Sequence, residues 1–194
     1  MAYSNVAKNH IATYRIIMPF KENTARTNII LTGFMATGKT TIGKLLAGQL
    51  GYEFVDTDDL IESRCGRLVA EIFQEKGETA FRAMETEIAR ELGKKEGLVI
   101  ATGGGLVLNP VNVTALEKKG RIFCLVATFE DILERASRDK VMRPLIQGTN
   151  PGERITELMK DRKEVYGHFT QIETTGKTPD QVTAMLLSRI FHET

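Results

Sequence analysis

Short apolar runs alternate along the chain with longer segments whose apolar residues recur at helical spacing. The strand-like runs are 28–31, 53–55, 98–101, 122–126 and 171–174. The segments with helical spacing are 40–50, 59–64, 68–75, 78–92, 110–118, 129–138, 153–166 and 179–191. Runs that are apolar at every position, such as 98–101, are typical of strands buried on both faces. The pattern therefore predicts an α/β fold in which helices cover a parallel sheet.

Two stretches depart from this alternation. Residues 1–27 are polar and mixed in composition, with one short apolar piece, Ile16-Ile17-Met18, which Pro19 ends. This piece is too short for the apolar core of a signal peptide. They contain a single acidic residue, Glu22, but their composition resembles a transit peptide only weakly. We expect a poorly ordered N-terminal extension, followed by one domain over 28–194. The segment of about 141–152 is rich in Gly, Pro, Asn and Thr and predicts a mobile lid between two helices.

Composition narrows the class of protein. The chain has 194 residues, enough for one domain with a full core, and its 26 basic and 25 acidic residues leave a net charge of +1. Such a balance argues against a general nucleic-acid binder, and the absence of any run of about 18 apolar residues argues against a membrane span. Cys65 and Cys124 lie far apart without a CxxC motif, which predicts reduced thiols in a cytoplasmic protein.

A phosphate-binding motif, GxxxxGK[ST], is matched by Gly33-Phe34-Met35-Ala36-Thr37-Gly38-Lys39-Thr40. It follows a predicted strand and opens a predicted helix, so backbone N–H groups and the helix N-terminus would face the same anion. Lys39 would reach the β- and γ-phosphates, and the Thr40 hydroxyl would take a Mg²⁺ position. The predicted ATP-binding residues here are Gly33, Met35, Ala36, Thr37, Gly38, Lys39, Thr40 and Thr41. The motif is shared by GTPases, ATPases and small-molecule kinases, but the guanine-reading NKxD is absent.

An acidic cluster follows the second predicted strand, at the edge where an open α/β sheet holds its ligand. Asp56 ends the strand and is predicted to lie near Mg²⁺, directly or through water. Asp58 would orient a substrate hydroxyl and accept its proton. The alternative for such a cluster is an N-cap of the next helix, a role we expect for Asp59.

Three further features could contribute to the same site. Gly103-Gly104-Gly105 follows the third predicted strand and would let backbone N–H groups approach a ligand, although a plain loop is the alternative. Arg82 and Arg162 lie on predicted helices, where solvated charge is the default; a carboxylate substrate would need such guanidinium groups. Arg143, in the predicted lid, could neutralise charge on a transferring phosphoryl group.

Six sequence blocks, taken in order, resemble the shikimate kinase family of the nucleoside-monophosphate-kinase-like P-loop fold. They are GFMATGKTTIGKLLA, FVDTDDLIE, FQEKGETAFRAMETE, VIATGGG, RDKVMRPLI and DRKEVY. The resemblance runs from about residue 28 to the C-terminus. It implies a three-layer α/β/α fold with five parallel strands in the order 2-3-1-4-5. It also implies ATP-dependent phosphorylation of the shikimate 3-hydroxyl to shikimate 3-phosphate and ADP, in aromatic amino acid biosynthesis.

The resemblance also implies roles for individual residues. Asp58 would bind the ring hydroxyls as base or orienting group, and Lys39 and Arg143 would contact the transferred phosphates. The substrate carboxylate would be held by Arg82 and Arg162, against a wall made by Gly103, Gly104 and Gly105. Magnesium would be bound directly by Thr40 and indirectly by Asp56. Adenine would stack on Arg138, with Pro179 opposite.

Two other functions stay open at this point. Another small-molecule kinase of the fold, such as a gluconate kinase, would share the phosphate loop. It would not specifically need Asp58, Arg82, the triple glycine and Arg162 in these blocks. A catalytically inactive module that senses ATP or shikimate would be expected to have lost Lys39, Thr40 or the carboxylates, which are all present. We expect ATP and shikimate as the only partners, no nucleic acid or membrane, and a monomer.

Overall fold

The computed structural model describes residues 26–138 and 151–192. Five parallel strands form one sheet: β1 (Asn28–Gly33), β2 (Glu53–Asp56), β3 (Leu98–Ala101), β4 (Gly120–Val126) and β5 (Thr170–Glu173). Their spatial order is β2-β3-β1-β4-β5. The predicted α/β/α class and strand order are therefore confirmed, and every predicted strand is present to within two residues.

Helices connect successive strands, because parallel strands need long crossover connections. They are α1 (Lys39–Leu50), α2 (Thr57–Cys65), α3 (Val69–Leu92), α4 (Pro110–Glu117), α5 (Phe129–Arg138), α6 (Pro151–Gly167) and α7 (Pro179–His192). The two helices expected at 68–75 and 78–92 form one element, α3, which is kinked at Gly77 (φ 76°, ψ 170°). This conformation interrupts a helix and favours glycine. The kink at Gly77 therefore explains why the sequence pattern predicted two helices instead of one.

The sheet separates two apolar layers, because alternate side chains of a strand point to opposite faces. Ile29 and Leu31 of β1 pack with α1 and α7 on one face. Ile30 packs on the other face with residues of α2 to α6, among them Phe81 and Ile88 of α3. All three β1 side chains are buried, as expected of a central strand covered on both sides.

The carboxyl ends of β1, β2 and β3 meet at one edge of the sheet. Asp56 at the end of β2 is in register with Ala101 at the end of β3. Just beyond, the Thr102 amide donates to Leu31 of β1 (3.0 Å), and the hydroxyls of Thr102 and Thr32 lie 3.2 Å apart. The turns that follow these three strands are therefore neighbours, which brings the phosphate motif, the acidic cluster and the triple glycine together.

Several predictions concern residues outside the described ranges. The N-terminal extension lies outside them except for its last two residues, and so does nearly all of the predicted lid with Arg143. Within 26–138 and 151–192, no helix is both long enough and apolar enough to span a bilayer.

Candidate active site

The phosphate motif folds into a tight loop between β1 and α1. Gly33, Ala36 and Gly38 all have positive φ (134°, 60° and 92°), so the backbone curls instead of continuing as strand or helix. The Thr37 hydroxyl closes the loop by donating to the carbonyl of Phe34 (2.8 Å). No side chain caps the N-terminus of α1, so its first N–H groups point toward the loop opening. These features give the anion-binding geometry that the motif predicts.

Lys39 bends back across the mouth of this loop. Its ammonium group donates to the carbonyls of Gly33 (2.9 Å) and Phe34 (2.7 Å). The cation is thereby held at the position where the phosphates of a nucleotide would enter. A positive charge fixed in advance needs little reorganisation when charge develops on a transferred group.

Thr40 and Asp56, the two predicted magnesium ligands, are in contact. The Thr40 hydroxyl donates to Asp56 Oδ2 (2.9 Å) across the gap between α1 and β2. Two adjacent oxygen donors beside a phosphate-binding loop suit a hard cation such as Mg²⁺. Asp56 is also the N-cap of α2, because its Oδ1 accepts from the Asp58 amide (3.1 Å). The expectation that Asp59 caps this helix is therefore wrong: the helix begins at Thr57, directly after the strand, and Asp59 lies in its first turn.

Each glycine of the triple faces a different predicted substrate-binding side chain. A β-carbon on Gly103 would lie closer than 3.0 Å to Asp58 Oδ1, and one on Gly105 would lie equally close to the guanidinium of Arg82. A β-carbon on Gly104 would stand 2.9 Å from Nη1 of Arg162. The three charged groups, which come from α2, α3 and α6, therefore pack against one stretch of backbone, the glycine wall, at positions where only glycine leaves room for them.

The carboxyl of Asp58 is buried and has a raised pKa. Burial raises the pKa of its carboxyl to about 7, and the negative charges of Asp56 and Glu85 act in the same direction, against the opposing charge of Lys39. Its Oδ1 is shielded from solvent and has no hydrogen-bond partner within the described residues. A carboxyl that is half ionised near neutral pH and has an unused acceptor atom suits a group that binds a hydroxyl and takes its proton.

Arg82 is held by two carboxylates of its own helix. It pairs with Glu78 (2.9 Å) and with Glu85 (2.7 Å), and the side chain of Glu85 is only 1% exposed. Burial raises the pKa of Glu85, while the hydrogen bond from Arg82 and its charge oppose that shift. The guanidinium also lies 5.6 Å from the ring centre of Phe81. Arg82 is thus a fixed group and not a solvated helix charge.

Arg162 is buried, at 5% exposure, although arginine is rarely buried unless it has partners. Its guanidinium lies 5.5 Å from the ring centre of Phe34, a residue of the phosphate loop. On the glycine side it is next to Tyr166, whose hydroxyl donates to the Gly104 carbonyl (2.6 Å). The arginine expected to bind a substrate carboxylate therefore stands between the two halves of the site.

The structure says less about the predicted roles of four other site residues. Met35 belongs to the loop, but its side chain is buried in the core, so only its backbone faces the motif. Thr41 is exposed in the first turn of α1, and Pro179 begins α7. Arg138 is the last residue of α5. The adenine-binding roles of Arg138 and Pro179 stay predictions.

Sequence reasoning assigned no role to several residues that shape the site. Glu85 follows Arg82 by three positions and Tyr166 follows Arg162 by four, which are the spacings of helical neighbours, so a partner search at those spacings could have found both.

Thr57 accepts from the Gly103 amide (2.9 Å). Arg135 of α5 donates to the Ala36 carbonyl of the phosphate loop (3.4 Å) and pairs with Asp131 (2.8 Å). These contacts join distant elements, and pattern alone does not reveal them.

Comparison with known proteins finds relatives that match most of this chain. The family model described as shikimate kinase matches residues 35–191. The shikimate kinase of Pelotomaculum thermopropionicum is 48% identical over 161 residues, covering 82% of this chain and 93% of the relative. That of Thermodesulfovibrio yellowstonii is 46% identical over 162 residues, with 82% and 92% covered. The structure of Acinetobacter baumannii shikimate kinase in complex with shikimate superposes with a TM-score of 0.82, at 37% identity, covering 87% of this chain and 94% of that one.

Proposed function

The chain belongs to the shikimate kinase family, and from that membership we propose that it transfers the γ-phosphoryl group of ATP to the 3-hydroxyl of shikimate. The products are shikimate 3-phosphate and ADP, in aromatic amino acid biosynthesis. The observation that carries this proposal is the pocket wall in which Gly103, Gly104 and Gly105 face Asp58, Arg162 and Arg82. One carboxylate and two guanidinium groups match the hydroxyls and the carboxylate of such an acceptor.

On the donor side, the loop from Gly33 to Thr41 would bind the phosphates of ATP through backbone N–H groups and the Lys39 ammonium. Thr40 and Asp56 would hold Mg²⁺, which supplies positive charge against the phosphate oxygens when bound. Arg143 of the predicted lid would add a further cation, and Arg138 with Pro179 would hold adenine. The contact between Thr40 and Asp56 supports the metal assignment.

On the acceptor side, Arg82 and Arg162 would bind the carboxylate and fix the orientation of the ring. Asp58 would then accept a hydrogen bond from the 3-hydroxyl and take its proton as the oxygen attacks the γ-phosphorus. Because phosphoryl transfer depends on positioning and electrostatics more than on covalent chemistry, fixed charges on both sides of the reacting atoms suit this reaction.

The proposal is tested by ADP release from MgATP with shikimate, with gluconate or without an acceptor. We expect rapid release with shikimate alone. Release with gluconate would agree with the assigned ATP site but would contradict the roles proposed for Arg82 and Arg162. No release with any acceptor, from folded protein that still binds ATP, would favour the inactive binding module. The expectations of a monomer in the cytoplasm, without nucleic-acid or membrane partners, stay predictions.

A further inference from the structure

Tyr166 is a buried residue of α6 whose hydroxyl reaches the active site. Its side chain is 8% exposed and belongs to the larger apolar cluster of the core. A phenylalanine would satisfy that packing equally well, so the packing does not explain the hydroxyl. A buried hydroxyl needs a hydrogen-bond partner, because leaving it unpaired costs free energy. The partners of this hydroxyl therefore indicate what it does.

One partner is the glycine wall. The hydroxyl donates to the Gly104 carbonyl at 2.6 Å, the shorter end of the range for such bonds. The bond joins residues that are 62 positions apart in the sequence and fixes the middle glycine relative to α6. The orientation of the Gly104 peptide, and with it the shape of the wall, therefore depends on α6.

Arg162, one helical turn earlier on α6, reaches the same glycine. A β-carbon on Gly104 would stand 2.9 Å from Arg162 Nη1 and 3.5 Å from the Tyr166 hydroxyl. The guanidinium and the hydroxyl therefore both lie next to the same glycine. Burial raises the pKa of Tyr166 to about 12, while the nearby positive charge of Arg162 acts in the opposite direction. The guanidinium carbon of Arg162 also lies 5.5 Å from the centre of the Phe34 ring.

We propose that Tyr166 is a positioning residue for the acceptor: its hydroxyl holds the Arg162 guanidinium and the Gly104 backbone in the relative placement that receives the substrate carboxylate. The inference rests on the proposed function, since it takes Arg162 to be the carboxylate-binding group. The hydroxyl itself does not touch the reacting atoms. Its removal should weaken acceptor binding and leave the donor site unchanged.

The test compares Tyr166→Phe with wild type, with Tyr52→Phe as the matched control on the opposite side of the sheet. Loss of one hydrogen bond to a charged or backbone partner should raise the KM for shikimate about threefold to tenfold. The KM for ATP and kcat should stay within about twofold of wild type. A thermal melt of each variant separates this effect from a loss of folded protein, and Tyr52→Phe should leave both KM values unchanged.

A double-mutant cycle with Arg162→Lys shows whether the hydroxyl acts through the guanidinium. We expect Tyr166→Phe to weaken shikimate binding, measured by calorimetry, much less in the Arg162→Lys background than in the wild type. Equal losses in both backgrounds, or a wild-type KM in Tyr166→Phe, would overturn the inference. Failure of the wild-type protein to phosphorylate shikimate would instead contradict the proposed function, so the two failures are distinguishable.

Discussion

The carboxylate of Asp58 lies against the backbone of Gly103, with no room for a methyl group between them. Asp58 comes from the first turn of α2 and Gly103 from the turn after β3, so the contact joins two neighbouring strand ends. The Gly103 amide also donates to Thr57, which locks the two turns together. This arrangement fixes the position of the proposed base before substrate arrives.

Gly103→Ala should therefore damage the acceptor site selectively. The added β-carbon would displace Asp58, and because overpacking of this kind costs roughly 1–3 kcal/mol, kcat/KM for shikimate should fall about tenfold to a hundredfold. Steady-state kinetics should show an unchanged KM for ATP. Gly167→Ala, at the open end of α6 where a β-carbon meets nothing within 4 Å, is the matched control and should behave like wild type.

The pH dependence of catalysis should follow the ionisation of Asp58. Its pKa is raised to about 7, mainly by burial, so the carboxyl is protonated below this pH and ionised above it. Since the proposed base must be ionised to take a proton, kcat/KM for shikimate at saturating MgATP should rise between about pH 6 and 8 and then level off. The residual rate of Asp58→Asn should lack this inflection. A wild-type profile that is flat from pH 5 to 9 would contradict the role of Asp58.

Lys39→Ala should abolish most turnover without preventing shikimate binding. The variant removes the cation that stands over the phosphate loop, and loss of one group that stabilises developing charge costs about a hundredfold or more in kcat. Lys160→Ala, an exposed lysine of α6, is the control. Calorimetry should give a shikimate affinity close to that of wild type, and a kcat near the wild-type value would refute the assignment.

Arg162→Ala should affect the acceptor much more than the donor. Losing a charge-assisted contact with a carboxylate should raise the KM for shikimate roughly tenfold to a hundredfold, with a smaller change for ATP. Arg154→Ala removes an exposed arginine of the same helix and should change neither constant. If the defect appeared in the KM for ATP alone, Arg162 would have to be reassigned to the donor site, through its contact with Phe34.

The fold could be predicted from sequence because its signals are local. Uniformly apolar runs identify buried strands, and the kink at Gly77 coincides with the break in the helical pattern of α3. The strand order came from the resemblance, since no periodicity specifies which strands pair. The capping role was assigned to the wrong aspartate because Asp56, Asp58 and Asp59 are all suitable N-caps, and only the end of β2 decides among them.

The candidate site was predictable as a set of residues but not as a geometry. The motif identified the phosphate loop, yet the sequence does not show that Gly104 meets Arg162, because that contact depends on how α6 packs against the sheet. Glu85 and Tyr166 were missed for a related reason. In the sequence pattern, Glu85 resembles any other charged residue of a helix, and Tyr166 resembles any other aromatic residue of the core. The structure shows what their polar atoms contact: Glu85 pairs with Arg82, and the Tyr166 hydroxyl donates to the Gly104 carbonyl.

The most direct test of the account is ³¹P NMR of the wild-type protein with MgATP and shikimate. We predict that the ATP signals are replaced by those of ADP and of a phosphomonoester whose phosphorus is coupled to the proton at carbon 3 of the shikimate ring. Inorganic phosphate as the only new phosphorus signal, or a phosphomonoester on another hydroxyl, would contradict the placement of the acceptor between Asp58 and the two arginines.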